Sequence, residues 1–349
     1  MIAHFIDFLE FFFAPLASFL LTLIVLKFLI DRQSAVFSRD VPNLRSLHIV
    51  PIPRGGGIIC LIVSLLASLM VGIFASFEWW MLGAGTCIAG LGIVGFIDDH
   101  RALSVRKKIL AQSILIGVMV GLILDDRSWH LFGKVFVFPD VFVFWPVLIL
   151  MIWLVNLTNF IDGADGLLGA HGVIITVTLG LWFYALDARA LSLITFVVSA
   201  TLLAFLRFNW SPAKIFLGDV GSLALGGWLA AIMLIGITRL GLSAEAFVIL
   251  YGYIVFDASF TLIRRLSAGR NVFLAHRDHL YQRLIVKGKS HQQVVLVTGG
   301  LQLILVVLAS INVVLEAFGV WLLVIATAIL GLFTLYVCSV ERRDRNGNS

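Results

Sequence analysis

Charge is what this sequence has least of. Asp, Glu, Lys and Arg make up 13% of its 349 residues, about half the share of an ordinary soluble domain. With 60% hydrophobic residues and a mean hydropathy of +1.05, that deficit excludes a water-facing surface over most of the chain and leaves a membrane protein. Cysteine is scarce as well. Cys60, Cys87 and Cys338 lie inside or at the end of apolar runs without CxxC spacing, which excludes a disulfide framework and a thiolate metal centre and leaves packing residues. Period-two alternation is missing, so a β-barrel is excluded. GxxxxGK[ST] is missing, so a P-loop is excluded. No basic stripe with interleaved aromatics indicates nucleic acid as a partner. The longest polar stretch, Arg264 to Gln293, is too short to hold a soluble domain.

What is present is a succession of long apolar runs. A hydrocarbon core about 30 Å thick takes about 20 apolar residues per helical crossing. On that measure the chain predicts helices at 11–31, 57–77, 80–97, 108–124, 141–157, 167–186, 189–207, 220–239, 243–263, 294–315 and 318–338. The expected fold is an all-α polytopic bundle of about eleven transmembrane helices, ten if two runs merge, forming a single domain over 1–349. The first run is too long for a signal peptide and lacks a basic leader and a cleavage site. Asp7 and Glu10 precede it, and Lys27, Asp31 and Arg32 mark its end, so it reads as an uncleaved helix with its N-terminus outside. Eleven crossings then put the C-terminus inside. The loops 32–56, 98–107, 208–219 and 264–293, with the tail and the residues bordering them, carry 20 of the 25 Lys and Arg. Only Arg127, Lys134, Arg189 and Arg239 fall on the other side, as the positive-inside rule requires. The basic loops meet anionic headgroups, so membrane lipids are partners.

The polar groups that interrupt these runs fall on the same inner side. GFIDDH brings Asp98 and Asp99 to the end of the third span, and NLTNFIDGADGL brings Asn156, Asn159, Asp162 and Asp165 to the end of the fifth. KIFLGDVGS places Asp219 at the start of the eighth. The large inner loop holds His276, Arg277, Asp278, His279 and Arg283 in FLAHRDHLYQRL. SLHIVPIPRGGG holds His48, Arg54 and three successive glycines ahead of the second span. Carboxylates gathered near an interface repel one another unless neutralised. Mg²⁺ suits that need, because it takes oxygen ligands, keeps waters, and binds one or two carboxylates together with substrate phosphates. Arg, Lys and His supply charge-assisted donors for phosphate oxygens. The inventory points to phosphoryl transfer at a membrane surface. Structural alternatives stand beside it. Asp98-Asp99 fits a solvated helix end, Asp162 and Asp165 fit a helix cap, and His276 and His279 fit an exposed loop. Gly55-Gly56-Gly57 fits either close approach to a phosphate or tight helix packing. Asp257, deep in the ninth span, is expected to pair with Arg264 or Arg265. DGADG lacks the glutamate that an EF-hand loop carries at its twelfth position. Phe216 stands where an intramembrane aspartyl protease has the first glycine of GxGD. A transporter or flippase for a phosphorylated or lipid-linked substrate is the alternative class.

The ordered set PRGGG, DD, NxxNxxDGxDGL, FLGDxGS and a histidine-bearing inner loop resembles the polyprenyl-phosphate N-acetylhexosamine-1-phosphate transferases, glycosyltransferase family 4, over about residues 40–340. PIPRGGG and AHRDHLYQRL are most similar to the branch that starts lipopolysaccharide O-antigen. The resemblance implies a Mg²⁺-dependent phosphoglycosyl transferase, with Mn²⁺ as substitute, in the bacterial inner membrane with its site on the cytoplasmic face. Its substrates are then undecaprenyl phosphate and a UDP-N-acetyl sugar, UDP-GlcNAc or a 6-deoxy relative such as UDP-FucNAc, and UMP is released. Oligomeric state is open, a homodimer included. By motif match Asp219 resembles the principal Mg²⁺ ligand and Asn159 a second. Asp98 resembles the carboxylate that handles the lipid-phosphate proton, with Asp99 supporting the metal region. Lys108, rather than its neighbour Lys107, matches a pyrophosphate-binding lysine. Asp165 resembles the residue that reads uracil and Asp162 a neighbour that organises the site. His276, Arg277 and His279 resemble the loop that closes over pyrophosphate and sugar, and Arg54 and Asn156 complete the expected substrate-binding set. HRDH departs from the family pattern, since relatives often carry three histidines close together.

Overall fold

The computed structural model describes residues 2–42, 50–74, 78–124, 128–271 and 276–347; His48 and Arg127 of the reading above lie outside them. The chain opens with α1 (Ile2–Asp31), then a short antiparallel ribbon of β1 (Ser38–Asp40) and β2 (Ile52–Arg54). Three helices follow, α2 (Gly57–Phe74), α3 (Trp79–His100) and α4 (Val105–Ile123). A second ribbon, β3 (Ser128–Leu131) with β4 (Lys134–Val137), leads into α5 (Asp140–Ile161). The bundle continues with α6 (Leu167–Ala185), α7 (Arg189–Asn209), α8 (Gly218–Thr238), α9 (Ala244–Leu250), α10 (Gly252–Ser267), α11 (Leu280–Val286), α12 (His291–Val314) and α13 (Gly319–Gly347).

Among the described residues, eight helices are long and apolar enough to cross a membrane, or nine when α9 and α10 count as one bent span. Two shorter or more charged helices, α2 and α4, occupy the other two runs picked out by hydropathy; α4 opens on Val105-Arg106-Lys107-Lys108. Ile73, Trp79, Ile149, Leu181 and Leu332 are among the large apolar side chains left on the outside of the bundle, where lipid rather than water satisfies them. The protein is a multi-pass helical membrane protein.

Three boundaries depart from the sequence expectation. The span expected as one helix over 243–263 is broken at Tyr251, and its halves meet at 74°. Gln302 Nε2 donates to the Leu250 carbonyl at 2.7 Å, so a polar side chain of α12 satisfies a backbone group at the break. The inner loop read as 264–293 contains the two-turn helix α11. Helix α12 starts at His291 rather than 294, because Ser290 and Gln293 form a reciprocal capping box.

Helix α8 is the axis of the bundle. It packs against α2, α3, α4 and α5, and every one of its residues except Trp228 is buried. The composition of GDVGSLALGGWLAAIMLIGIT explains this. In hydrocarbon no water drives helices together, so association relies on close packing, which small residues permit. A Cβ added to Gly57 would stand 2.2 Å from Gly221 Cα, and one added to Gly95 would stand 2.2 Å from the Asp219 carbonyl oxygen. Thus α2 and α3 meet α8 backbone against backbone. This decides between the two readings of PRGGG. The N–H groups of Gly55 and Gly56 both donate to Phe216 O, at 3.1 and 2.9 Å, and that of Gly57 donates to Leu217 O at 2.9 Å. The glycines pack a helix; their amides are spent within the fold.

Candidate active site

The same contacts that seat α2 on α8 assemble the polar site at one end of the bundle. Phe216 N–H donates to Pro53 O at 2.8 Å, and Arg54 and Phe216 form a parallel bridge. Arg54 is thereby held beside the first turn of α8, where Asp219 sits. The last turn of α3 delivers Asp98 and Asp99. Asp99 accepts from the N–H groups of Asp219 at 3.0 Å and Val220 at 3.1 Å, capping the positive end of α8. Arg54 bridges Asp99 (2.9 Å) and Asp219 (2.5 Å), and Lys108, in the first turn of α4, bridges Asp98 (2.8 Å) and Asp219 (2.5 Å). The result is an alternating chain of charges, Asp98–Lys108–Asp219–Arg54–Asp99. Lys107 is exposed, so the geometry selects Lys108 of the adjacent pair. Asp98 also accepts from Leu103 N–H at 2.7 Å, fixing the short turn between α3 and α4.

The NLTNFIDGADGL segment approaches from α5. Asn159 donates Nδ2 to Ser222 Oγ at 2.8 Å, and Ser222 lies one turn along α8 from Asp219 on the same face. Its carboxamide oxygen is the atom left for a cation. Asn156 donates to Gln112 Oε1 (2.8 Å) and to Ile152 O (2.7 Å), which ties α5 to the face of α4 that carries Lys108. Asp162 receives the N–H of Gly218. Burial pushes its carboxyl well above the ordinary carboxylate range, and the charges of Asp219 and Asp99 add to the push against Arg54.

Asp165 belongs to a second set of contacts. It faces His291 Nδ1 at 3.3 Å and accepts from Ala213 N–H at 3.1 Å. Burial works against its charge, but these partners prevail and hold its pKa below the usual value. His291 escaped sequence reasoning. Its place at the start of α12 was marked only by the Ser290 cap, and nothing local joins it to a residue 126 positions earlier.

The HRDH segment is brought alongside through α11. Tyr281 OH donates to Phe160 O at 3.2 Å, and a Cβ on Gly163 would fall 2.1 Å from the Tyr281 hydroxyl oxygen. Glycine at 163 is what lets α11 settle on the DGADG turn. His276 and His279 have ring centroids 5.1 Å apart; His279 is buried, while His276 and Arg277 are half-buried. The expectation for Asp257 is corrected here. Arg264 and Arg265 pair with Asp278, Arg265 in direct contact. Asp257 is fully buried and accepts instead from the N–H groups of Leu280 (2.8 Å) and Tyr281 (3.3 Å).

The donor set can be tested against a divalent cation. Asp98, Asp99, Asp162 and Asp219 face two cationic side chains, Arg54 and Lys108, so the cluster carries a surplus of negative charge when all are ionised. Asp219 spends two contacts on those cations, and a carboxylate has about four lone-pair directions. Among the described residues, no three His, Cys, Asp or Glu side chains group as a self-sufficient metal site. A hard cation here would therefore need waters and substrate phosphates beside a carboxylate and an amide oxygen. Asp219 and Asn159 fit that role.

Fold and site define a multi-pass membrane protein with a cation-bridged carboxylate cluster at one end of its bundle. The chain matches the family model described as glycosyl transferase family 4 over residues 80–237, the stretch from α3 to α8 that carries eight of the site residues expected from sequence, Asp98, Asp99, Lys108, Asn156, Asn159, Asp162, Asp165 and Asp219. It is 29% identical over 331 residues to the probable undecaprenyl-phosphate N-acetylglucosaminyl 1-phosphate transferase of Bacillus subtilis (strain 168), covering 92% of this chain and 89% of the relative. It is 29% identical to the decaprenyl-phosphate N-acetylglucosaminephosphotransferase of Mycobacterium leprae (strain TN), over 73% of this chain and 72% of the relative. It is 30% identical to a phospho-N-acetylmuramoyl-pentapeptide-transferase of Streptococcus pneumoniae (strain 70585), over 74% and 83%. The chain belongs to the polyprenyl-phosphate N-acetylhexosamine-1-phosphate transferases of glycosyl transferase family 4.

Proposed function

We propose that the protein transfers a HexNAc-1-phosphate from a UDP-N-acetyl sugar to undecaprenyl phosphate at the cytoplasmic face of the bacterial inner membrane. The observation that carries this reading is the chain Asp98–Lys108–Asp219–Arg54–Asp99, assembled from four separate segments at a helix-bundle end. An oxygen of the lipid phosphate attacks the β-phosphorus of the donor. The bond from that phosphorus to the bridging oxygen breaks, UMP leaves with the bridging oxygen, and a lipid pyrophosphoryl sugar remains. A phosphate monoester loses its second proton near pH 6, so the nucleophile arrives largely ionised and a direct single displacement is favoured over an aspartyl-phosphate intermediate.

In such a displacement most of the rate enhancement comes from positioning and charge neutralisation. Lys108 and Arg54 supply fixed positive charge next to Asp219. Asp98, hydrogen-bonded to Lys108 and beside the α3–α4 turn, is placed to take the residual proton of the lipid phosphate. Mg²⁺, or Mn²⁺ in its place, held by Asp219 and Asn159, would supply further neutralisation of the pyrophosphate oxygens. In this reading His276 and Arg277, half-exposed in the segment that leads into α11, cover the donor.

UDP-GlcNAc is the donor that two of the compared relatives' names support. PIPRGGG and AHRDHLYQRL support an O-antigen-initiating role, for which UDP-FucNAc is the competing donor. The test is UMP release by the purified protein with undecaprenyl phosphate, a panel of UDP-HexNAc donors, and Mg²⁺, Mn²⁺ or chelator. Release is expected only with both lipid phosphate and a divalent cation. A protein that moves substrate without releasing UMP is a transporter, and the reading fails. Label from the donor's β-phosphate appearing on the protein in the absence of lipid would replace the single displacement with a covalent one.

A further inference from the structure

The β3–β4 ribbon has no part in the chemistry described so far, and its surface is too apolar for water. From Ser128 to Phe138 the sequence SWHLFGKVFVF holds one charged residue, Lys134. Trp129 packs against the core, and the register sets Phe136 opposite it. Alternation then turns Val135 and Val137 to the other face, where they are 58% and 70% exposed. Phe132, Phe136 and Phe138 are exposed as well, the last two stacked with centroids 6.0 Å apart. Five large apolar side chains on one short ribbon form the kind of patch that marks an interaction surface.

The seat of the ribbon fixes its level in the membrane. Phe132 N–H donates to the buried carboxylate of Glu245, in the first turn of α9. A Cβ on Gly133 would stand 3.1 Å from Ala317 Cα. Trp79, Trp145 and Trp321 are strongly exposed, and all lie near the starts of α3, α5 and α13, at the end of the bundle away from the site. Exposed tryptophans gather at the membrane–water boundary. Trp321 follows Ala317 by about one helical turn. Val137 precedes Phe142, where the apolar span of α5 begins, by five residues. The ribbon therefore stands at the boundary and continues the lipid-facing surface of α5. It can go no deeper. In a two-stranded sheet each strand keeps one edge without a ladder, and hydrocarbon cannot satisfy those backbone groups.

We propose that the β3–β4 ribbon is an interfacial anchor: Phe132, Val135 and Val137 rest in the headgroup–acyl boundary of the leaflet opposite the site, and Lys134 meets lipid phosphate. A strand from a second copy of the chain, added along β4, is the competing occupant. The proposal stands apart from the transferase reading, and its test does not involve turnover.

The experiment uses the full chain in nanodiscs of phosphatidylcholine and phosphatidylglycerol, with a nitroxide on a single cysteine placed by Val135→Cys or Val137→Cys. Cys338→Ser removes the partly exposed native thiol; Cys60 and Cys87 are buried and stay unlabelled. Ile149→Cys supplies the lipid reference, and Asp187→Cys, at a side chain 82% exposed, supplies the water reference. Collision of each label with dissolved oxygen is compared with collision with an aqueous nickel complex. At Val135 and Val137 the oxygen-to-nickel ratio is expected to lie between the two references and nearer to Ile149. A ratio nearer to Asp187 overturns the proposal. Exclusion of both reagents, or dipolar broadening between labels on two copies, assigns the surface to protein and overturns it as well.

Discussion

Lys108 Nζ lies 2.5 Å from Asp219 Oδ2, joining residues 111 positions apart in the chain, and the same ammonium reaches Asp98 at 2.8 Å. One lysine therefore holds the end of α3 and the start of α8 through a single charge. Removing it leaves two carboxylates facing each other in a partly desolvated setting, where losing one partner of a buried pair costs about 3 kcal/mol or more. Lys108→Met is expected to lower the thermal midpoint of the purified protein and to cut UMP release more than about a hundredfold. Lys107→Met, at the exposed neighbour, is expected to stay within about twofold of wild type in both. Equal losses at the two positions would mean that bulk positive charge, not this contact, matters.

Asp98 differs from Asp99 in what it is free to do. Asp99 accepts from two α8 amides and from Arg54 with its side chain 1% exposed, whereas Asp98 accepts from the Leu103 amide at one oxygen and Lys108 at the other with its side chain 17% exposed. Asp98→Asn is expected to slow turnover by about a hundredfold, with UDP-sugar binding retained when measured by calorimetry. Asp99→Asn is expected to reduce both turnover and thermal stability, because it uncaps the axial helix. A fully active Asp98→Asn variant removes that residue from the proton-handling step.

Much of this was legible in the chain, and the physical reason is uniform. A span must be apolar for about 20 residues whatever it packs against, so hydropathy locates helices without knowledge of their neighbours. A polar residue that interrupts such a run is costly, which is why Asp98, Asp99, Asn159 and Asp219 announced themselves. What could not be read is what depends on distant partners. The break at Tyr251 has no proline to signal it and is matched by Gln302 from another helix. His291 meets Asp165, and Asp257 meets α11, only through the fold. PRGGG kept two meanings until Gly57 was seen against Gly221.

The HRDH segment responds to pH in a defined direction. Burial, then the neighbouring His279 and Arg265, lower the His276 pKa from its ordinary 6.5 to about 4. Between those values the unfolded chain carries a proton that the folded chain refuses. Stability therefore falls as pH drops through that window and levels off below it. The thermal midpoint of the wild type is expected to fall between pH 7 and pH 5, and His276→Gln is expected to fall less. Parallel slopes in the two proteins would show that other groups set the acid limit.

The packing of α8 gives the last prediction, and it separates a lipid-facing glycine from an interfacial one. Gly95 and Gly121 both lie within apolar helices and look alike in sequence. A methyl group on Gly95 would stand 2.2 Å from the Asp219 carbonyl oxygen and 2.4 Å from its carbon, whereas nothing lies within 4 Å of one on Gly121. The obstruction at Gly95 is backbone, which cannot rotate aside, so α3 must move away from α8. Overpacking of this kind costs about 1–3 kcal/mol or more, and here it also moves the residue that Lys108 and Arg54 both hold. Gly95→Ala is expected to lower the thermal midpoint and UMP release together. Gly121→Ala, which gains helix propensity of up to about 1 kcal/mol without a clash, is expected to leave activity unchanged and stability unchanged or slightly raised. Differential scanning fluorimetry of both variants beside a UMP-release assay decides it, and a Gly95→Ala protein as stable and active as wild type would mean that α3 does not touch α8 at the site.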